Sequence, residues 1–285
     1  MPMPAIKENA RVRRYARLLV HVAVNIQPGQ RFTIWKAPVD AAPFVRMLTE
    51  EAYIAGASYV DVFWRDDHLE LIRLMRTAPS VYSDRPDWEV TVMETSAREG
   101  GAFLFFDCTC AGVFDNTPTA MVARALALES EHLQRVWQFF VRNMVNWSIA
   151  TVPTPSWAHK VFPDLPVEEG IQELWETIFV TCRIDTENYV ERWERHRSTL
   201  EDRSRLLNDL RLRALHFEGP GTKLRVGLPP GHVWRNPGFV TQSGIPFIAD
   251  IPIEEVFTLP HRNEVEGHVR STRAFVVNGR TVDDF

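Results

Sequence analysis

Residues 31–64, RFTIWKAPVDAAPFVRMLTEEAYIAGASYVDVFW, contain an apolar run, a helical pattern and a second apolar run. The first run, RFTIWKA, and the last, SYVDVFW, are short and rich in the aromatic and β-branched residues that favour strands. Between them Phe44, Leu48 and Ala52 recur at helical spacing, and Gly56 provides a C-terminal stop. Strand, helix and strand in this order indicate a parallel α/β sheet.

The same alternation extends on both sides of this stretch. Further elements are predicted, in chain order, as helix 8–25, helix 67–77, strand 101–108, helix 117–142 and strand 145–153. Nearly continuous apolar strands between helices are typical of a parallel sheet that is covered on both faces. Residues 1–155 are therefore predicted to form a doubly wound α/β lobe.

The pattern changes twice in the rest of the chain. Residues 156–214 are predicted to be a helical segment packed on the first lobe, with core side chains Trp175, Phe179, Trp193 and Leu200. Residues 215–285 alternate between apolar and polar, with Gly and Pro at intervals, which predicts the start of a β-rich lobe. The fold class is thus α/β, a mainly parallel sheet lobe followed by a helical connection and a β-rich part.

Composition excludes several classes of function. The chain has 285 residues, with 32 basic and 37 acidic side chains and a formal net charge of −5, so nucleic acid is not expected as a partner. No apolar run approaches the roughly 18 residues of a membrane helix, and no membrane association is expected. Three cysteines, an odd number without a secretion signal, favour the reducing cytoplasm.

Most local motifs have an ordinary structural interpretation. GPGTKLRVG, residues 219–227, precedes a strand rather than a helix, so it predicts a hairpin turn and not a nucleotide loop. Cys108 and Cys110 lack C-x-x-C spacing and are predicted to be free thiols. Asp66, Asp67 and His68 follow a strand and are predicted to cap the next helix. H-E-x-x-H, G-x-S-x-G and P-loop motifs are absent from the sequence.

Residues 251–269, IPIEEVFTLPHRNEVEGHV, combine four glutamates with two histidines. If residues 253–258 form a strand, Glu254 and Glu255 point to opposite faces, and only one of them can readily join a metal site. Glu264, Glu266 and His268, with Arg262 alongside, resemble an exposed charged strand face. Local chemistry alone leaves a metal site and a charged hairpin both open.

Five blocks of the sequence, in the same order, resemble the thermophilic metallo-aminopeptidase family of the aminopeptidase T and aminopeptidase S type. The blocks are NIQPGQRFTI (25–34), APVDAAPFVRMLTEEAYIAGASYVDV (37–62), VNWSIATVPTPSWAHKVFPDLP (145–166), ALHFEGPGTKLRVGLPPGHVW (214–234) and IPIEEVFTLPHRNEVEGHVRSTR (251–273). Together they span nearly the whole chain, which makes the resemblance far more specific than a single motif.

The resemblance implies a homodimer that uses two divalent cations, zinc, cobalt or magnesium, to release N-terminal amino acids from peptides. It places the first metal-binding glutamate in PIEEVFT, where Ile253 replaces the usual threonine. We assign this ligand to Glu255, with Glu254 as the alternative, and the β-rich part is then the start of a metal-site lobe. Such cations polarise the scissile carbonyl and activate water.

The resemblance also predicts where the other ligands lie. In the family a second glutamate, histidines and an aspartate follow the block that corresponds to RAFVVNGRTVDDF, residues 273–285. Because a catalytic metal takes about three protein ligands, the 285-residue chain is expected to be inactive unless ligands come from elsewhere. The β-rich part is expected to be incomplete relative to the family, ending in a strand after the VNGR turn.

Two other functions fit parts of this pattern. A non-catalytic protein that keeps the fold for dimerisation or peptide binding would need no further ligands. A mononuclear-iron ring-cleaving dioxygenase is a second alternative, because dihydroxypyridine dioxygenases resemble this family in fold. Metal content separates the non-catalytic protein from the peptidase.

Overall fold

The computed structural model describes residues 10–77, 86–108, 110, 112–277 and 280–284. Its strands are β1 Arg31–Pro38, β2 Tyr59–Arg65, β3 Ala102–Phe106, β4 Trp147–Ala150, β5 Ala214–Gly219, β6 Thr222–Gly227, β7 Gly238–Val240, β8 Pro246–Ile248, β9 Asp250–Ile251, β10 Val265–His268, β11 Arg270–Val277 and β12 Arg280–Asp284. Its α-helices are α1 Ala10–Leu18, α2 Ala42–Ile54, α3 Asp67–Arg76, α4 Trp88–Arg98, α5 Thr119–Val141, α6 Pro155–Val161, α7 Val167–Thr181 and α8 Tyr189–Leu210.

A five-stranded parallel sheet in the order β2-β1-β3-β4-β9 forms the centre of the fold. The opening stretch supplies β1, α2 and β2, and Gly56 takes the left-handed conformation, φ +95°, just after α2 ends. The predicted mainly parallel α/β sheet is therefore confirmed.

The side chains of β3 show that helices cover both faces of this sheet. Leu104 and Phe106 enter a core that also contains α1 and α2, whereas Phe103 and Phe105 enter a second core with α4 and α5. All four side chains are buried. Burial of each contributes on the order of 2 kcal/mol, so the apolar run is explained by burial on two sides.

Helices α7 and α8 pack against the same core as α1 and α2. The Trp175 ring lies 5.6 Å from the Phe44 ring, centroid to centroid, and Trp193 belongs to the same cluster. The four predicted core residues of this segment, Trp175, Phe179, Trp193 and Leu200, are all buried, as expected. The boundaries at residues 155 and 214 stay a prediction.

The part after α8 is rich in short strands. A tight turn at residues 220 and 221 joins β5 to β6, which confirms the hairpin predicted for GPGTKLRVG, and β10 pairs with β6. The small strand β9 leaves this part and joins β4 in the central sheet. The turn residues 278 and 279, within the predicted VNGR turn, lie outside the described residues.

Residues 253–258 do not form the strand that was considered for them from the sequence. The backbone there is irregular, and only Phe257 forms an isolated antiparallel bridge, with Arg235. Side-chain alternation therefore does not decide the directions of Glu254 and Glu255.

Among the described residues, no helix is both long and apolar enough to cross a membrane.

Candidate metal site

Acidic side chains gather where the parallel strands end. Asp107 follows β3, Asp250 lies in β9, and Glu254 and Glu255 follow β9. Ligands of open α/β sheets bind at this carboxyl edge. Asp107 also lines a cavity of about 240 Å³ between the sheet and α5.

Glu254 is bound to the helical segment. Its carboxylate accepts a hydrogen bond from the Arg183 guanidinium, and His196 Nε2 lies 3.8 Å from its other oxygen. Partial burial opposes ionisation of Glu254, but the Arg183 hydrogen bond and charge together lower its pKa. Glu254 is therefore an ionised, paired carboxylate.

Glu255 has a different environment. Its side chain is exposed, and it forms no hydrogen bond or ion pair with the described residues. Burial raises the pKa of neighbouring Asp250 to about 6, and the carboxylates of Glu255 and Asp107 add to this rise. Glu255 thus presents a free carboxylate in a region of crowded negative charge, which a cation would stabilise.

These residues fit a metal ion in part. Glu255 has the chemistry and freedom of one carboxylate ligand. Within the described residues, however, no three His, Cys, Asp or Glu side chains are grouped closely enough to hold a metal ion. The described part of this chain therefore offers one metal ligand, Glu255, with the carboxyl group of Asp250 nearby.

The predicted helix cap is confirmed. Asp66 accepts hydrogen bonds from the backbone N–H groups of His68, at 2.9 Å, and Leu69, at 3.3 Å, at the start of α3. Asp67 instead pairs with Arg65, and His68 is exposed. The three residues line one cavity of about 110 Å³, but within the described residues they do not form a group that could hold a metal ion.

The cysteines are free thiols, as expected. Burial raises the pKa of Cys108 to about 11, and burial also raises the pKa of Cys110. Both therefore stay protonated at neutral pH.

The remaining charged residues of the 251–269 segment lie on the surface. Glu266 and His268 are exposed on β10, while Glu264 lies 3.7 Å from His261 and 3.8 Å from Arg225. Among the described residues, Glu266 and His268 form no metal-binding group with Glu255, and Arg262 is exposed. This agrees with an exposed charged strand.

Comparison with known proteins places the fold and these sequence blocks in one family. The profile of the family described as thermophilic metalloprotease (M29) matches residues 8–285. The chain belongs to the M29 family. Aminopeptidase 2 of Geobacillus stearothermophilus is 37% identical over 272 residues, which are 95% of the M29 chain and 66% of the relative. Aminopeptidase T of Thermus aquaticus is 37% identical over 282 residues, 99% of the chain and 68% of the relative.

A solved structure gives the same result. Wild-type AmpT from Thermus thermophilus superposes on this chain with a TM-score of 0.86 at 35% sequence identity. The superposition covers 96% of this chain and 67% of the AmpT chain. The M29 chain thus spans about two thirds of the length of the relatives that it matches.

Sequence reasoning missed three residues near the site: Arg183, His196 and Asp250. Arg183 is 71 residues from Glu254 in sequence, and His196 is 57 residues from Ile253. Nothing local marks either residue, because only the packing of α7 and α8 brings them to the segment. Asp250 directly precedes the IPIEEVFT block, but its raised pKa results mainly from burial, which the sequence does not show.

Proposed function

We propose that this chain is the larger part of a metal-dependent aminopeptidase that releases N-terminal amino acids from peptides. The carrying observation is Glu255, an exposed carboxylate without a described partner at the carboxyl edge of the sheet, in a chain of a metalloprotease family. The relatives named above are aminopeptidases.

Glu255 rather than Glu254 is the proposed metal ligand. Glu254 is bound by Arg183, so recruiting it would leave that guanidinium without its carboxylate. Glu255 has no such partner to lose. A bound cation supplies polarisation of the scissile carbonyl and activation of water; this chain's part is to hold one carboxylate in place.

The family resemblance supports the finer features of the proposal. These are two divalent cations, zinc, cobalt or magnesium, in a homodimer. The odd number of cysteines supports a cytoplasmic location, and the changes of sequence pattern support a helical connection between an α/β lobe and a β-rich metal-site lobe. The other ligands are proposed to belong to the third of the relatives' length that this chain does not span. The cavity beside Asp107 gives a peptide room at the same edge.

The two alternatives receive no support from the relatives. A ring-cleaving dioxygenase or a non-catalytic peptide-binding or dimerisation protein would be expected to match proteins with other names, whereas the relatives named above are aminopeptidases.

The test is hydrolysis of aminoacyl chromogenic substrates, with zinc, cobalt or magnesium, by purified protein that contains this chain together with the region proposed to supply the other ligands. We expect metal-dependent turnover that Glu255→Ala abolishes without unfolding the protein, because this exposed side chain is not part of the core. Glu254→Gln is the matched control and should reduce turnover less. Full activity in Glu255→Ala would show that the ligand is assigned wrongly, and no turnover with any metal would contradict the activity itself.

A further inference from the structure

The segment that carries Glu255 is irregular backbone held on both sides of this residue. Before Glu255, the Ile253 carbonyl oxygen accepts a hydrogen bond from His196 Nε2 at 2.7 Å, and Arg183 binds the Glu254 carboxylate. After it, the backbone of Phe257 exchanges two hydrogen bonds with Arg235, at 2.8 and 2.9 Å. Glu255 lies between these attachments, so its direction depends on them.

Arg183 is itself fixed in place. It follows α7 in the left-handed conformation, φ +56°, where glycine is the usual residue. Its Nη1 donates to the Thr181 carbonyl at 3.0 Å, and its guanidinium carbon lies 5.6 Å from the centroid of the Trp193 ring. A guanidinium held at these points is already oriented for the Glu254 carboxylate.

His196 is held by the same tryptophan. Its side chain is 8% exposed and packs edge-on against Trp193, with ring centroids 5.6 Å apart. Trp193 is tied to the end of α7 by a 2.6 Å hydrogen bond from its Nε1 to the Cys182 carbonyl. Because the Ile253 carbonyl oxygen only accepts hydrogen bonds, His196 Nε2 carries the proton.

We propose that Arg183 and His196 are positioning residues for Glu255. They fix the backbone on its N-terminal side and keep the adjacent Glu254 carboxylate away from the cation. The proposal rests on the proposed function, in which Glu255 is a metal ligand. Neither residue touches the metal or the substrate; both act through the segment, as outer partners of metal ligands do.

The first experiment uses the same protein, in which the region proposed to supply the other ligands is present, and measures its dissociation constant for Zn²⁺ by competition with a fluorescent chelator. Arg183→Met should weaken Zn²⁺ binding about 10- to 100-fold, and Arg183→Lys should recover part of the loss because it keeps the charge. Arg195→Met is the matched control, since Arg195 pairs with Glu191 on the exposed side of α8, and it should change nothing. Melting temperature without metal is recorded for each variant.

A double variant tests the route of the effect. If Arg183 acts through Glu254, Arg183→Met combined with Glu254→Gln should weaken Zn²⁺ binding no more than the larger single change. For His196, a Gln side chain still donates to the Ile253 carbonyl and should bind Zn²⁺ more tightly than His196→Leu.

The outcomes separate the two proposals. If Glu255→Gln loses Zn²⁺ binding while folded Arg183→Met and His196→Leu bind it as the wild type does, the positioning proposal is wrong and the proposed function stands. If Glu255→Gln binds Zn²⁺ normally, the ligand assignment fails, and the positioning role with it. A lower melting temperature with unchanged Zn²⁺ affinity would mean that Arg183 serves stability alone.

Discussion

Arg65 and Asp67 form an ion pair of 2.5 Å between the end of β2 and the start of α3. The second carboxylate oxygen of Asp67 accepts a hydrogen bond from the backbone N–H of Cys110, also at 2.5 Å. Asp67 is 8% exposed, so the carboxylate joins two loops of the carboxyl edge from a nearly buried position.

Asp67→Asn should therefore destabilise the fold by about 2 kcal/mol, because it removes a charge-assisted hydrogen bond and leaves Arg65 with only the more distant Glu129, at 3.7 Å, among its described ion-pair partners. Urea unfolding at pH 7 measures the change. Glu191→Gln, which removes an exposed pair with Arg195, is the control and should have little effect. Equal midpoints for Asp67→Asn and the wild type would contradict this role.

The cap of α3 gives a second prediction. Asp66→Ala removes the side-chain acceptor for the N–H groups of His68 and Leu69 and should cost about 1 kcal/mol. Asp66→Asn keeps an acceptor oxygen and should retain most of the stability. The unfolding midpoints of the two variants measure the contribution of the cap. Equal losses of stability in Asp66→Ala and Asp66→Asn would contradict it.

Asp250 predicts a pH dependence of stability. Burial first, and then Glu255 and Asp107, raise its folded-state pKa from 3.8 to about 6, so protonated Asp250 favours the folded protein. The stability contributed by this group is present below the unfolded pKa and is lost as the pH rises through about 6. Asp250→Asn, which stays neutral, should match the wild type near pH 4 and exceed its melting temperature at pH 7.5, with chelator present.

Asp202→Asn is the control for that series, because Asp202 is an exposed partner of Arg205. Its melting temperature should show no gain at pH 7.5. A less stable Asp250→Asn at pH 7.5 would mean that the ionised carboxylate is stabilised by something other than the described neighbours.

The close approach of β10 to β6 at Gly267 predicts that adding a methyl group there disturbs their pairing. Gly267 has φ +126°, and a Cβ there would lie 2.0 Å from the Lys223 carbonyl oxygen. Gly267→Ala should separate the two strands and speed hydrogen exchange in both. Gly244→Ala is the matched control, because Gly244 also has positive φ but a Cβ there meets nothing within 4 Å. Similar exchange in the two variants would show that the close approach is relieved without loss of pairing.

Strands β1 to β4 of the central sheet were predictable because their apolar runs are local, whereas β9 lies in the part predicted to be a separate β-rich lobe. Helix α4 was missed, since Trp88–Arg98 buries small and mixed side chains, among them Ser96 and Ala97, and its WEVTV start alternates like a strand. The strand considered for residues 253–258 does not form, because its backbone pairing is limited to the Phe257–Arg235 bridge and the rest of the segment contacts the side chains of Arg183 and His196.

The candidate site was predictable only as far as the glutamate pair. The sequence singles out Glu254 and Glu255, but it does not show which of the two forms the ion pair with Arg183, because Arg183 lies at the end of a distant helix. The contribution of Asp250 likewise follows from burial, which the order of residues does not reveal.

The pairing of β9 with β4 has a consequence for how a cell makes this protein. Ile149 of β4 can pair with Asp250 of β9 only after Asp250 has left the ribosome, so the last strand joins the sheet late. Until then the growing chain exposes the unpaired edge of β4, which is the kind of surface that chaperones cover and that aggregates form on. Glu255 follows directly, so the acidic edge is assembled only after the whole sheet has been translated.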